Sequence, residues 1–121
     1  MYSTEEIFKR LNRSRFRSSF HLNADDISYC KERGSQTIEE HATAFINEKI
    51  KPAFPKNDGK QTPTKGHPVF KAMHACACCC RGCLNKWYQV PKGVELPEQD
   101  CERIVSLLMS WISKELTGRD P

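Results

Sequence analysis

Gly66-His67-Pro68-Val69-Phe70-Lys71-Ala72-Met73-His74-Ala75-Cys76-Ala77-Cys78-Cys79-Cys80-Arg81-Gly82-Cys83-Leu84-Asn85-Lys86-Trp87-Tyr88 carries five of the chain's seven cysteines and two of its four histidines. Pro68 suits the first turn of a helix, where a missing N–H costs nothing, and His67 or Gly66 then lies at the cap. Read as one helix from Pro68, Cys76, Cys79, Cys80, Cys83 and Trp87 recur at i, i+3, i+4, i+7 and i+11, a continuous apolar stripe. Free cysteine is a small hydrophobe, so the stripe reads first as a core face. It also holds metal-ligand chemistry: Cys76-x-x-Cys79 and Cys80-x-x-Cys83, with His74 two residues upstream. On a continuous helix Cys79 and Cys83 stand one turn apart, while Cys80 is turned by about 100°. Three thiols then meet one ion only if the helix distorts, and Gly82 is the expected place.

Working outward, Lys51 to Lys65 forms the one long irregular stretch. Pro52, Pro55, Asn57-Asp58-Gly59 and Pro63 forbid regular structure there. A loop of that length in so small a chain is unusual and often functional. It carries Lys56, Lys60 and Lys65 with the hydroxyls of Thr62 and Thr64, and leads into the N-terminus of the cysteine helix. It lacks the spacing of a Walker A loop.

Before the loop, Ser3-Thr4-Glu5-Glu6 reads as a capping box opening a helix. Asn12 to Leu22 then alternates basic or polar residues with aromatics and is expected to be irregular or extended. In that form Arg13, Arg15 and Arg17 share one side with Phe16 opposite, a spacing that suits phosphate forks. Asn23 caps a second helix that ends at Gly34. Ser35 or Thr37 is expected to cap a third, Ile38 to about Ile50, with His41 on or beside its apolar face. After the cysteine stretch, Pro97 starts a last helix with a strong stripe from Cys101 to Leu116, closed by Gly118 and Pro121. No segment shows strand alternation. The expected class is all-α: a compact bundle of four to five helices in one domain, 1–121.

Composition narrows the function. The net charge is +4 over 121 residues, with the basic groups gathered at the N-terminus and in the middle loop. No segment resembles a signal peptide and no run of about 18 apolar residues spans a membrane. Seven cysteines in such a chain are expected to be reduced, buried or metal-bound, in the cytosol.

Several phrases are distinctive together: Ser14-Arg15-Phe16-Arg17-Ser18-Ser19-Phe20-His21-Leu22, Asn57-Asp58-Gly59-Lys60-Gln61-Thr62-Pro63, Gly66-His67-Pro68-Val69-Phe70, Cys79-Cys80-Arg81-Gly82-Cys83-Leu84 with Lys86-Trp87, and Pro91-Lys92-Gly93. On these the chain resembles, over nearly its whole length, a small, mainly bacterial family catalogued as domain of unknown function 4186. The resemblance brings no established activity. Its pattern has threonines at the positions of Cys76 and Cys78 and a histidine at that of Tyr88. It therefore implies Cys79, Cys80, Cys83 and His74 as the ligand set, and it places Arg15, Arg17, His21, Lys60, Gln61, Thr62 and His67 among the recurring polar residues.

Three functions follow as expectations. The first is a nucleic-acid or polyanion-binding module, with phosphate-bearing ligands held by Arg13, Arg15, Arg17, His21, Lys60, Thr62, Lys65, His67 and Arg81 over a buried cysteine cluster. The alternative is a zinc or iron–sulfur centre on His74, Cys79, Cys80 and Cys83. A second alternative is a thiol-dependent enzyme, with one cysteine activated by His67, His74 or Arg81.

Overall fold

The structure is a computed structural model that describes residues 3–117. Among them there are seven helices and no strand: α1 (Thr4–Asn12), α2 (Arg15–Ser18), α3 (Ala24–Arg33), α4 (Ser35–Lys49), α5 (Pro68–Ala75), α6 (Arg81–Tyr88) and α7 (Glu98–Thr117). The all-α class holds, with more helices than four to five because the cysteine stretch is split and the arginine segment coils into a turn of its own.

Local chemistry explains most starts. The Ser3 hydroxyl accepts from the Glu6 N–H at 3.1 Å, and Glu6 accepts from the Ser3 N–H at 2.9 Å, closing the capping box of α1. Asn23 and Asp26 do the same for α3. α4 begins directly after Gly34, whose φ of 87° belongs to the left-handed region, and no side chain caps it; Ser35 and Thr37 lie inside the helix. The segment expected to be extended is helical at Arg15–Ser18, because the Ser14 hydroxyl caps it by accepting from the Arg17 N–H at 3.1 Å. That one turn rotates Arg17 away from Arg13 and Arg15 and into the protein. The expected stop at Gly118 lies outside the described residues.

The cysteine stretch is two helices, not one. α5 ends in a turn where the Cys78 N–H reaches back to the Met73 carbonyl at 2.8 Å. Ala77 sits between them at a φ of 58°. This is the left-handed C-terminal turn that glycine usually fills. α6 then restarts with Cys80 in extended backbone as its cap. The break falls at Ala77, whereas Gly82 lies inside α6.

α7 is the spine. It packs along α4 and α5, and Leu108 and Ile112 meet Ile38, Ala42, Ile46, Val69, Ala72 and Met73 in one buried cluster. α5 buries Pro68, Val69, Ala72, Met73 and Ala75, and its two polar residues, Lys71 and His74, are bonded to Asp26 and to the Thr62 carbonyl. The long loop, with no regular structure, is held by side chains instead. Arg81 is 1% exposed and its guanidinium donates to the carbonyls of Ile50 (3.3 Å), Pro52 (2.7 Å), Pro91 (2.8 Å) and Val94 (2.7 Å). One arginine thus satisfies four backbone acceptors from two irregular segments that have no ladder to satisfy them.

Candidate metal centre

The restart at Cys80 decides the site. As the cap of α6, Cys80 turns its sulfur over the first turn, where Sγ accepts from the Cys83 N–H at 3.2 Å. Its Sγ lies 3.1 Å from that of Cys83, and the sulfurs of Cys79 and Cys83 lie 3.6 Å apart. All three fall within 4.8 Å of one another, and Cys83 is the most exposed of them. Four thiolates around a tetrahedral zinc at about 2.3 Å would lie about 3.8 Å apart. The Cys79–Cys83 separation is close to that edge and the Cys80–Cys83 separation is about 0.7 Å shorter, so the three sulfurs are gathered to within a small rearrangement of three corners of such a site.

Arg17 faces this cluster from α2. Its Nη1 donates to the His74 carbonyl at 2.8 Å and reaches Cys79 Sγ at 3.5 Å, and its Nη2 donates to Cys83 Sγ at 3.1 Å. Only 9% of the residue is exposed. A buried guanidinium ordinarily has a carboxylate partner; here it has two sulfurs and a backbone carbonyl. Burial opposes its charge, yet the Cys79 and Cys83 sulfurs outweigh that and keep it protonated. The reciprocal effect falls on Cys79. The Cys83 S–H and the Arg17 cation hold its thiol down to about 7 against burial. The Cys83 thiol is pushed up, first because it donates to Cys79 and then by burial. Cys76 and Cys78 are wholly buried and pushed well up by desolvation, so they behave as core.

Three of the four ligands expected from sequence come together; His74 stands outside the group. Its ring stacks on Phe20 at 5.3 Å between centroids, and its Nε2 donates to the Thr62 carbonyl at 2.9 Å. That leaves Nδ1 buried without a partner. Thr62 is itself buried, donating from its hydroxyl to the Cys79 carbonyl at 2.8 Å. The long loop thus braces the thiol cluster from behind.

The residues expected to bind anions are dispersed in role. Arg17, Thr62 and Arg81 are buried on protein partners. His21 is exposed and bonds Glu115 at 3.0 Å. Arg13, Arg15, Lys60 and Lys65 are exposed. Sequence reasoning missed the Arg17–thiol fork, and the signal that could have found it is Ser14 three residues ahead of Arg17, a helix cap.

His67 has a different task. Its Nδ1 accepts from the Val69 N–H at 3.0 Å and caps α5. With that nitrogen a lone pair, Nε2 carries the proton and donates to His41 Nδ1 at 3.0 Å. Burial, and then the neighbouring His41, lower its pKa from 6.5 to about 4. The folded state therefore excludes a proton that the unfolded chain binds. Stability is full above pH 6.5 and declines as pH falls from there toward 4. Discounted for partial exposure, the loss is about 1–2 kcal/mol. In thermal melts of metal-free protein the midpoint falls across that window. His67→Asn, which keeps a cap acceptor and cannot titrate there, flattens the dependence; an unchanged slope in that variant would refute the assignment.

Residues 5–113 match the family model described as Domain of unknown function (DUF4186). No solved structure matches the chain. No helix among the described residues is long and apolar enough to cross a membrane.

Proposed function

The chain belongs to this DUF4186 family, which assigns it no activity, and from that premise we propose that it is a metal-binding protein whose centre is Cys79, Cys80 and Cys83. The observation that carries the reading is the Arg17 fork on two sulfurs. Three thiolates on a divalent ion leave one net negative charge, and one buried guanidinium balances it. Soft thiolates select zinc or iron–sulfur clusters over hard cations. Three ligands rather than four favour zinc, with its remaining position open to water or a small ligand, since clusters usually take four cysteines. The Cys83 N–H on Cys80 and the Thr62 hydroxyl on the Cys79 carbonyl would orient the ligands from behind.

The test is metal content by mass spectrometry on anaerobically purified protein, with its visible absorption. About one zinc per chain is expected, and it is lost in Cys83→Ser while helicity is kept. Metal-free protein that zinc neither binds nor stabilises would end the reading. A polyanion-binding surface has less support. Its exposed members are Arg13, Arg15, His21, Lys60 and Lys65, and of the three arginines whose spacing suits phosphate forks Arg17 is bonded within the protein, as is Arg81.

A further inference from the structure

We propose that Cys80 and Cys83 are a redox pair, closed to a disulfide by a peroxide, and that this closure expels the metal. The release clause rests on the metal-centre reading; the pairing rests on the thiol geometry alone. Cys80-Arg81-Gly82-Cys83 places its first cysteine at the helix cap and its second in the first turn. The two sulfurs are 3.1 Å apart, against 3.6 Å for Cys79 and Cys83, so this pair needs the smaller approach to the disulfide length of about 2.05 Å. The Cys83 N–H already orients the Cys80 sulfur. Cys79 and Cys80 are buried, whereas Cys83 is part-exposed and is the member that a small oxidant reaches first.

The chemistry balances in two displacements. Cys83, the member that solvent reaches, gives up its proton to water and its sulfur attacks one peroxide oxygen; the O–O bond breaks, and the departing oxygen leaves as water after taking up a proton. Cys83 is then a sulfenic acid. The Cys80 thiolate attacks the Cys83 sulfur, the S–O bond breaks, and a second water leaves. Two thiols and one hydrogen peroxide become one disulfide and two waters; sulfur is oxidised and peroxide oxygen reduced. Cys79 is left as the single thiol ligand, too few to hold a zinc ion. A thiol reductant reverses the bond and restores the three-thiol set.

The experiment begins with zinc stoichiometry on the reduced protein. Zinc-loaded and chelator-stripped samples then receive equimolar hydrogen peroxide. Zinc release is followed with a chromogenic chelator and crosslinks by peptide mapping. Trypsin cuts after Arg81, so a bond from Cys83 to either neighbour joins two peptides. Cys79→Ser is expected to keep the crosslink and Cys80→Ser to abolish it. Zinc released in step with crosslink formation, and rebound after reduction, supports the proposal. Zinc bound at the start but a crosslink that survives Cys80→Ser, or Cys83 oxidised to sulfinic acid with no crosslink, overturns it and leaves the metal centre standing. A Cys80–Cys83 crosslink in protein that never bound zinc overturns the metal reading and the release with it, while the pairing stands.

Discussion

Arg81→Met lowers the free energy of unfolding by about 3–5 kcal/mol, measured by urea denaturation. Arg81 is completely internal and bonds four carbonyls, those of Ile50, Pro52, Pro91 and Val94. Methionine fills a similar volume and removes every donor. The four carbonyls belong to segments without regular structure, so no neighbouring N–H takes over. Bonds to a charged donor contribute about 1.5–3 kcal/mol each, but they are not additive, and removing the guanidinium also removes its own desolvation cost. A net value near the middle of one or two such bonds is what remains. Small domains have about 5–15 kcal/mol in total, so the variant sits near the edge of folding. Arg81→Lys recovers only part, because one ammonium on a flexible stem cannot span four acceptors held by a planar fork. It provides the folded comparison if the methionine variant does not accumulate. A loss below about 1 kcal/mol in both variants would show that the two segments are held by something else.

The same residue shows where sequence reading stops. Some helix starts were readable, because a cap is a local device: Ser3 with Glu6, Asn23 with Asp26, and Pro68 after His67 each announce a helix within four residues, whereas the starts of α2 and α6 and the cap of α4 were not. The stripe of α7 was readable because burial repeats with the helical period. The break at Ala77 was not. Its φ of 58° is one that glycine takes freely and alanine takes only under constraint from both sides. Gly82, the residue that looked like a break, sits at ordinary helical geometry in α6. The candidate site was half readable. Spacing offered two C-x-x-C pairs, Cys76 with Cys79 and Cys80 with Cys83, and the family resemblance narrowed them to Cys79, Cys80 and Cys83; a continuous helix turns Cys80 away, and only the restart of α6 brings its sulfur back over Cys83. Arg17 and Arg81 read as solvent or phosphate contacts because arginine is usually exposed. Whether an arginine turns inward depends on which acceptors the distant chain leaves unpaired, and that is a property of tertiary structure.

Arg17→Met is expected to weaken zinc binding about 10–100-fold, read by competition with a chelator of known affinity. Among the described residues the guanidinium is the cation bonded to the cluster, with Nη2 at 3.1 Å from Cys83 Sγ and Nη1 at 3.5 Å from Cys79 Sγ. Zinc with three thiolates is an anion, and burying it uncompensated is costly. The metal-free protein behaves differently. Below about pH 7, where the Cys79 thiol too is protonated, Arg17 bears its own burial cost and gains the His74 carbonyl and weak bonds to sulfur. Its replacement by an apolar side chain therefore changes metal-free stability little, within about 1 kcal/mol. This contrast separates charge balance from packing: a role confined to anchoring α2 would lower the stability of both forms equally and leave zinc affinity unchanged. Arg17→Lys lies between, since it restores the charge but not two parallel bonds. A zinc affinity in Arg17→Met equal to that of the parent protein would mean that the cluster needs no counter-charge. The fork on its sulfurs would then be a packing arrangement, and the main support for a thiolate centre would be gone.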